Sequence, residues 1–250
     1  MLLVAFSLAL IAFGRWRGVT ALIGLAVTFG ILLVFMVPAI IAGEPPVLVA
    51  LVAASAITLV VLYLTHGVSL ATTVAVVGTM AALALTAVVS ELAVEALYLT
   101  GVTDDISMAV VDRHGVDARG LLVASIIIGS VGVLDDVTVT QSVTVTELGL
   151  ANPAYRFREL YRAGSRVGRS HIASVVNTIV LAYAASSLPL IVLVVADNSS
   201  LGGIASTQLI QEVVRSAVAT LGLIAAVPLT TGLAALVTGT APEEVASHAS

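Results

Sequence analysis

Between Pro45 and Ser90 the chain carries no Asp, Glu, Lys or Arg. A soluble domain does not sustain such a run. A helix needs about 20 apolar residues to cross about 30 Å of hydrocarbon. The run therefore holds two spans, divided at Thr65-His66-Gly67. Gly18 to Gly43 is another uncharged run, closed by Glu44-Pro45-Pro46. Gly120 to Leu134 is apolar but short, so a span there must borrow residues from one side. Ile172 to Ala196 and Ser216 to Pro242 complete the set, the latter starting nearer Thr207. Leu2 to Phe13 is too short to cross, and it reads as a half-length helix ending at Arg15. The fold class that follows is all-α: a polytopic transmembrane helix bundle of about six full spans plus a partial N-terminal helix. Residues 1–250 read as a single transmembrane domain, with no linker.

Composition agrees and excludes several classes. Hydrophobic residues make up 59% and charged residues 10%, against about 25% charged in an ordinary soluble domain. The lipid bilayer is thus the first partner. There is no cysteine, so disulfides, thiolate nucleophiles and cysteine-bound metals are ruled out. All ten basic residues are arginine, and the net charge is −5. Nucleic acid is not an expected partner, because no basic patch faces outward. No Gly-rich phosphate loop with its lysine occurs, so an ATP-driven motor would be another chain. No cofactor is expected.

The arginines predict orientation. Arg15 and Arg17 follow the first segment, and five more occupy a loop from Arg156 to Arg169. Six spans from Gly18 onward put both groups on one side, expected to be cytoplasmic together with the C-terminal tail Ala241 to Ser250. The other side carries the Glu44 turn, the acidic loop Thr103 to Asp117 and Asp197-Asn198-Ser199-Ser200. The cell membrane is the expected location. Pro38, Pro189 and Pro228 lie inside apolar runs, where each removes a backbone donor and should kink its helix. Ser125 and Gly129 form a small-x-x-x-small pair suited to close packing.

The polar residues near the span ends are the candidates for chemistry. In Gly132-Val-Leu-Asp-Asp-Val-Thr-Val-Thr-Gln141, a continued helix puts Asp135, Thr138, Ser142 and Thr146 on one stripe. Asp136, Thr140, Thr144 and Glu147 fall on the next. Carboxylates in a membrane must be paired, protonated or cation-bound, and oxygen-only ligands suit protons or hard cations. The bland alternative is that both aspartates reach the cytoplasmic interface. The alternation from Val137 to Thr146 also has strand character, which a lone segment in lipid cannot satisfy. Ser170, Ser174 and Asn177 share a helical face, with His171 and Thr178 beside it. That face either opposes the aspartates or glues helices together. The candidate ion site is therefore Asp135, Asp136, Thr138, Gln141, Ser174 and Asn177. His171 and the pair Glu212 and Arg215 are secondary. Glu212 and Arg215, three apart, can pair along a helix. Glu91 and Glu95 share a face on the acidic side.

These stretches, with Gly168-Arg-Ser-His-Ile-Ala-Ser-Val-Val-Asn-Thr178, Leu181-Ala-Tyr-Ala184, Glu212-Val-Val-Arg-Ser216 and Ala226-Val-Pro-Leu-Thr-Thr231, resemble the YibE/F family of bacterial membrane proteins. The resemblance covers most of the chain from Gly14 onward. It implies a multi-pass membrane protein and the same polar positions, and it implies no particular activity. Members of that family carry an N-terminal helix and an extracytoplasmic segment before this region, so the resemblance implies a shortened N-terminus here. Two functions remain in view: a permease for an ion or small solute, and a non-transporting membrane subunit or scaffold, as a homo-oligomer or with a membrane partner. An intramembrane enzyme ranks lowest, since no metal-ligand spacing such as H-E-x-x-H occurs.

Overall fold

Gly67, at φ 76°, ends one helix of the long uncharged run, and Ser69 starts the next by accepting a hydrogen bond from the Thr72 amide at 3.1 Å. Local chemistry of this kind cuts the apolar sequence into separate helices throughout. The computed structural model describes residues 1–102, 105–196 and 200–239, with side chains left aside at 105–107 and 200–206. Among the described residues there is no strand.

The elements run α1 (Leu2–Gly14), α2 (Trp16–Gly30), a π-helical stretch (Ile31–Met36), α3 (Val37–Ile41), α4 (Pro46–His66) and α5 (Leu70–Ala96). They continue through α6 (Asp105–His114), α7 (Ala118–Ala151), α8 (Phe157–Ser186), α9 (Leu188–Ala196) and α10 (Ser200–Gly239). Five stretches are long and apolar enough to span: Trp16–Ile41, Pro46–His66, Leu70–Ala96, Ala118–Ala151 and Thr207–Gly239. The pair α8 and α9, bent by 62°, makes a sixth when counted as one broken span rather than a re-entrant loop. The bend falls at Ser187, just ahead of Pro189, as a proline without a backbone donor permits. Pro228 leaves α10 unbroken. Pro38 is the second residue of α3, two positions past the π-helical stretch.

The short run from Gly120 to Leu134 borrows on its C-terminal side. Its helix, α7, has 34 residues, about 51 Å at 1.5 Å per residue. The alternating Val/Thr segment is thus helix, because its backbone groups close within the segment. Asp117 caps this helix, accepting from the amides of Arg119 and Gly120 at 3.1 and 3.0 Å. Helix α7 is the centre of the bundle and packs against α4, α5, α8 and α10.

Small residues set the closest approaches. A methyl group on Gly78 of α5 would strike the Thr230 hydroxyl of α10, and one on Gly222 of α10 would strike the Thr86 hydroxyl of α5. The two antiparallel helices thus interlock reciprocally, each offering a glycine to the other's threonine. Gly164 and Gly168 of α8 sit against Gln141 of α7 and against Thr231 and Val227 of α10. Gly129 makes no such contact: it is exposed, and only the Tyr183 hydroxyl comes near. The close packing expected from Ser125 and Gly129 is supplied by Gly164-x-x-x-Gly168 instead.

The predicted arginine loop is corrected. Helix α8 begins at Phe157, so Arg158, Arg162, Arg166 and Arg169 ride on a helix, and the connection from α7 is only residues 152–156. Glu159 closes the first turn by accepting from the Arg156 amide at 3.1 Å. Within the acidic loop the structure contains α6; residues 103 and 104 lie outside the described residues, as do 197–199 and the tail from 240.

Candidate functional site

On α7 the two aspartates separate. A residue advances about 100° around a helix, so neighbours point to different sides. Asp135 turns inward and is 8% exposed, while Asp136 is exposed. Along the two stripes Thr138 and Ser142 are buried, Thr140 and Glu147 are exposed, and Thr144 and Thr146 are half-buried.

Asp135 Oδ1 accepts a hydrogen bond from the Thr58 hydroxyl of α4 at 3.0 Å. The Thr79 hydroxyl of α5 belongs to the same cluster. Thr79 lies 2.7 Å from the Thr138 hydroxyl, which reaches the Asp135 carbonyl at 3.2 Å. Thr58, Thr79 and Thr138 are all fully buried. The carboxyl thus sits where α4, α5 and α7 meet, ringed by hydroxyls. Hydroxyls serve it in either state, since each can donate to a carboxylate or accept from a carboxylic acid. No arginine answers it: the one ion pair among the described residues is Glu212 with Arg215, at 3.7 Å. A lone interior carboxylate needs a proton or a cation to offset its charge. No group of three or more His, Asp or Glu able to hold a metal occurs among the described residues.

Below Asp135, Gln141 closes the interior. Its amide donates to the Gly164 carbonyl at 2.9 Å and to the Thr231 hydroxyl at 2.8 Å. Thr231 in turn donates to the Val227 carbonyl at 2.6 Å. Ser142 donates to the Ala71 carbonyl at 2.7 Å, tying α7 to the start of α5. Gln141 is therefore a lock among α7, α8 and α10, separated from the carboxyl by a turn and a half of helix.

The remaining candidates are not brought to Asp135. Ser174 and Asn177 of α8 are exposed. The Asp135–Asn177 pocket anticipated from their positions is not formed, because α8 turns Ile172, Val175, Val176 and Ile179 toward α7 and α10. His171 is half-buried, and its Nε2 has no hydrogen-bond partner. Glu212 lines a separate cavity of about 500 Å³ between α8, α9 and α10. That cavity is apolar apart from Glu212, Tyr183, Ser187, Ser216 and Thr220.

Sequence reasoning missed Thr58, Thr79 and Thr231, the residues that complete the two hydrogen-bonded clusters. One signal was available. Thr72, Thr79 and Thr86 recur every seven residues in α5 and share a face, and all three are buried.

No curated protein and no solved structure matches the chain. A family model, YibE/F-like protein, matches residues 2–240. With nearly the whole sequence inside that match, this membrane-embedded helical chain belongs to the YibE/F-like family.

Proposed function

We propose that the protein is a permease for an ion or small solute, and that Asp135 is its ionisable group. One observation carries the reading: a carboxyl buried where three spans meet, with hydroxyl partners only and no basic residue against it. Such a group is costly in a purely structural role, because an apolar residue would pack there without the desolvation penalty. It becomes useful when a proton or cation occupies it in one state and leaves in another. The threonine ring favours this, since a hydroxyl rotates to suit either state. The apolar cavity between α8 and α10, with Glu212 and Tyr183 on its wall, is the candidate entrance for the solute on the opposite side from the arginines. Those arginine-bearing helix ends face the cytoplasm in this reading.

The test is flux in reconstituted vesicles, screened over protons, monovalent and divalent cations. Asp135→Asn keeps the size and most of the hydrogen-bonding capacity of the side chain while removing its ionisation. It should leave the protein folded and inserted and abolish flux. Full flux in a well-folded Asp135→Asn protein overturns the proposal.

A further inference from the structure

The outward stripe of α7 is more polar than a lipid-facing surface needs to be. Beside the apolar Val143 and Leu150 it presents Gly132, Asp136, Thr140 and Glu147, two of them acidic. Asp136 lies between the levels at which α4 and α5 begin, which bracket the apolar span. Gly120, sixteen residues before it, meets Pro46 at the start of α4, and Ser142, six residues after it, bonds Ala71 at the start of α5. Those distances are about 24 and about 9 Å of helix. A carboxylate exposed at that depth has no stable contact in hydrocarbon.

Helix α8 has a matching exposed stripe, with Arg162, Arg166, Arg169 and, further up, Asn177. Contacts within the chain set the relative heights of the two helices. Leu160 meets Gly149, Gly164 and Gly168 meet Gln141, and Tyr183 meets Gly129. In that register Glu147 is level with Arg162, and Thr140 is level with Arg169. Asp136 stands about one turn above Arg169 and one turn below Asn177. Yet none of these charges pairs within the chain, where Glu212–Arg215 is the only ion pair among the described residues.

We infer that the α7 and α8 stripes form a two-fold interface between two copies of this chain. A two-fold axis along the bilayer normal preserves depth, so α7 of one copy meets α8 of the other at equal height, and the reverse contact follows by symmetry. Glu147 then faces Arg162, Asp136 faces the space between Arg169 and Asn177, and Gly132 permits close approach of the backbones. The complementarity is of one chain to itself, level by level, which is why a second copy is the occupant. The inference is independent of Asp135, which faces the other way.

The absence of cysteine makes the test clean. Two differently tagged versions, one Thr140→Cys and one Arg169→Cys, are expressed together in membranes and oxidised. The expected product is a disulfide-linked heterodimer carrying both tags, at several-fold higher yield than either version forms with itself. Separately, Asp136→Arg and Arg169→Asp should each lower the dimer fraction of purified protein in lipid nanodiscs, read by native mass, and the combined variant should restore it. Three results overturn the inference: a monomeric wild-type chain at every lipid-to-protein ratio, no heterodimer disulfide, or a dimer indifferent to both single reversals. The disulfide arm uses small side chains and stands even where a charge reversal fails to fold.

Discussion

Replacing Gly222 by alanine isolates the interlock between α5 and α10. The added methyl group would overlap the Thr86 hydroxyl, with the Thr86 Cβ and Cγ2 at 3.4 and 3.6 Å. Thr86 cannot turn aside cheaply. It is fully buried, and its hydroxyl donates to the Ala82 carbonyl at 2.8 Å; a β-branched side chain is also stiff at χ1. Overpacking of this kind costs about 1–3 kcal/mol. Alanine itself favours a helix over glycine by about 0.8–1.0 kcal/mol, so a raw stability change mixes two opposed effects. Gly232→Ala on the same helix separates them, because there the nearest atom to a new methyl group is a Tyr161 ring carbon at 3.9 Å. Gly232→Ala should hold or raise stability by up to about 1 kcal/mol, and Gly222→Ala should fall about 1–3 kcal/mol below it. Adding Thr86→Ala to Gly222→Ala should recover most of that difference as a coupling energy. The assay is denaturant titration in mixed micelles, followed by helical circular dichroism. If Gly222→Ala and Gly232→Ala prove equally stable, the reciprocal glycine–threonine packing is not what sets the distance between these helices.

Two further outcomes follow from geometry already described. Gln141→Leu removes both amide hydrogen bonds, to the Gly164 carbonyl and the Thr231 hydroxyl; at about 0.5–1.5 kcal/mol for each bond lost, the effect is measurable as a lower unfolding midpoint in detergent, and an unchanged midpoint would refute the lock. Single cysteines at Glu44, in the turn before α4, and at Arg158, on the first turn of α8, should react with an impermeant thiol reagent from opposite faces of sealed vesicles, and reaction of both from one face would refute the alternating topology.

The spans were legible because lipid imposes one simple demand, a long run without charge, and the chain meets it openly. Turn positions were legible for the same reason: Gly67 and Glu44-Pro45-Pro46 interrupt the long uncharged runs. Helix ends near water were harder. The arginine run from 156 to 169 is polar enough to pass for a loop, yet Gly164 and Gly168 give α8 a face that α7 and α10 bury, and packing decides the matter. At the candidate site, the sequence shows two adjacent aspartates and their two stripes but not which stripe faces in. That choice is made by α4 and α5, through Thr58 and Thr79. A threonine inside an apolar run carries no mark of the carboxyl it serves. Ser174 and Asn177 looked like partners because they are polar and at suitable height; height along a helix does not fix the direction around it.

The length of α7 has a consequence for how the bundle sits in its membrane. From Ser142, level with the start of α5, it runs on to Ala151, about 14 Å further. There it packs with α8 and α10, in a cluster of Val145, Leu160, Ala234 and Ala235 completed by Val74 of α5. Arg158 and Arg162 are exposed on this part of α8. Arg158 lies outside the inferred two-fold contact; beside anionic headgroups it would gain about 1 kcal/mol and so resist sinking or lifting of the body. The helix ends thereby act as a draught mark, fixing the depth at which the interior carboxyl rides.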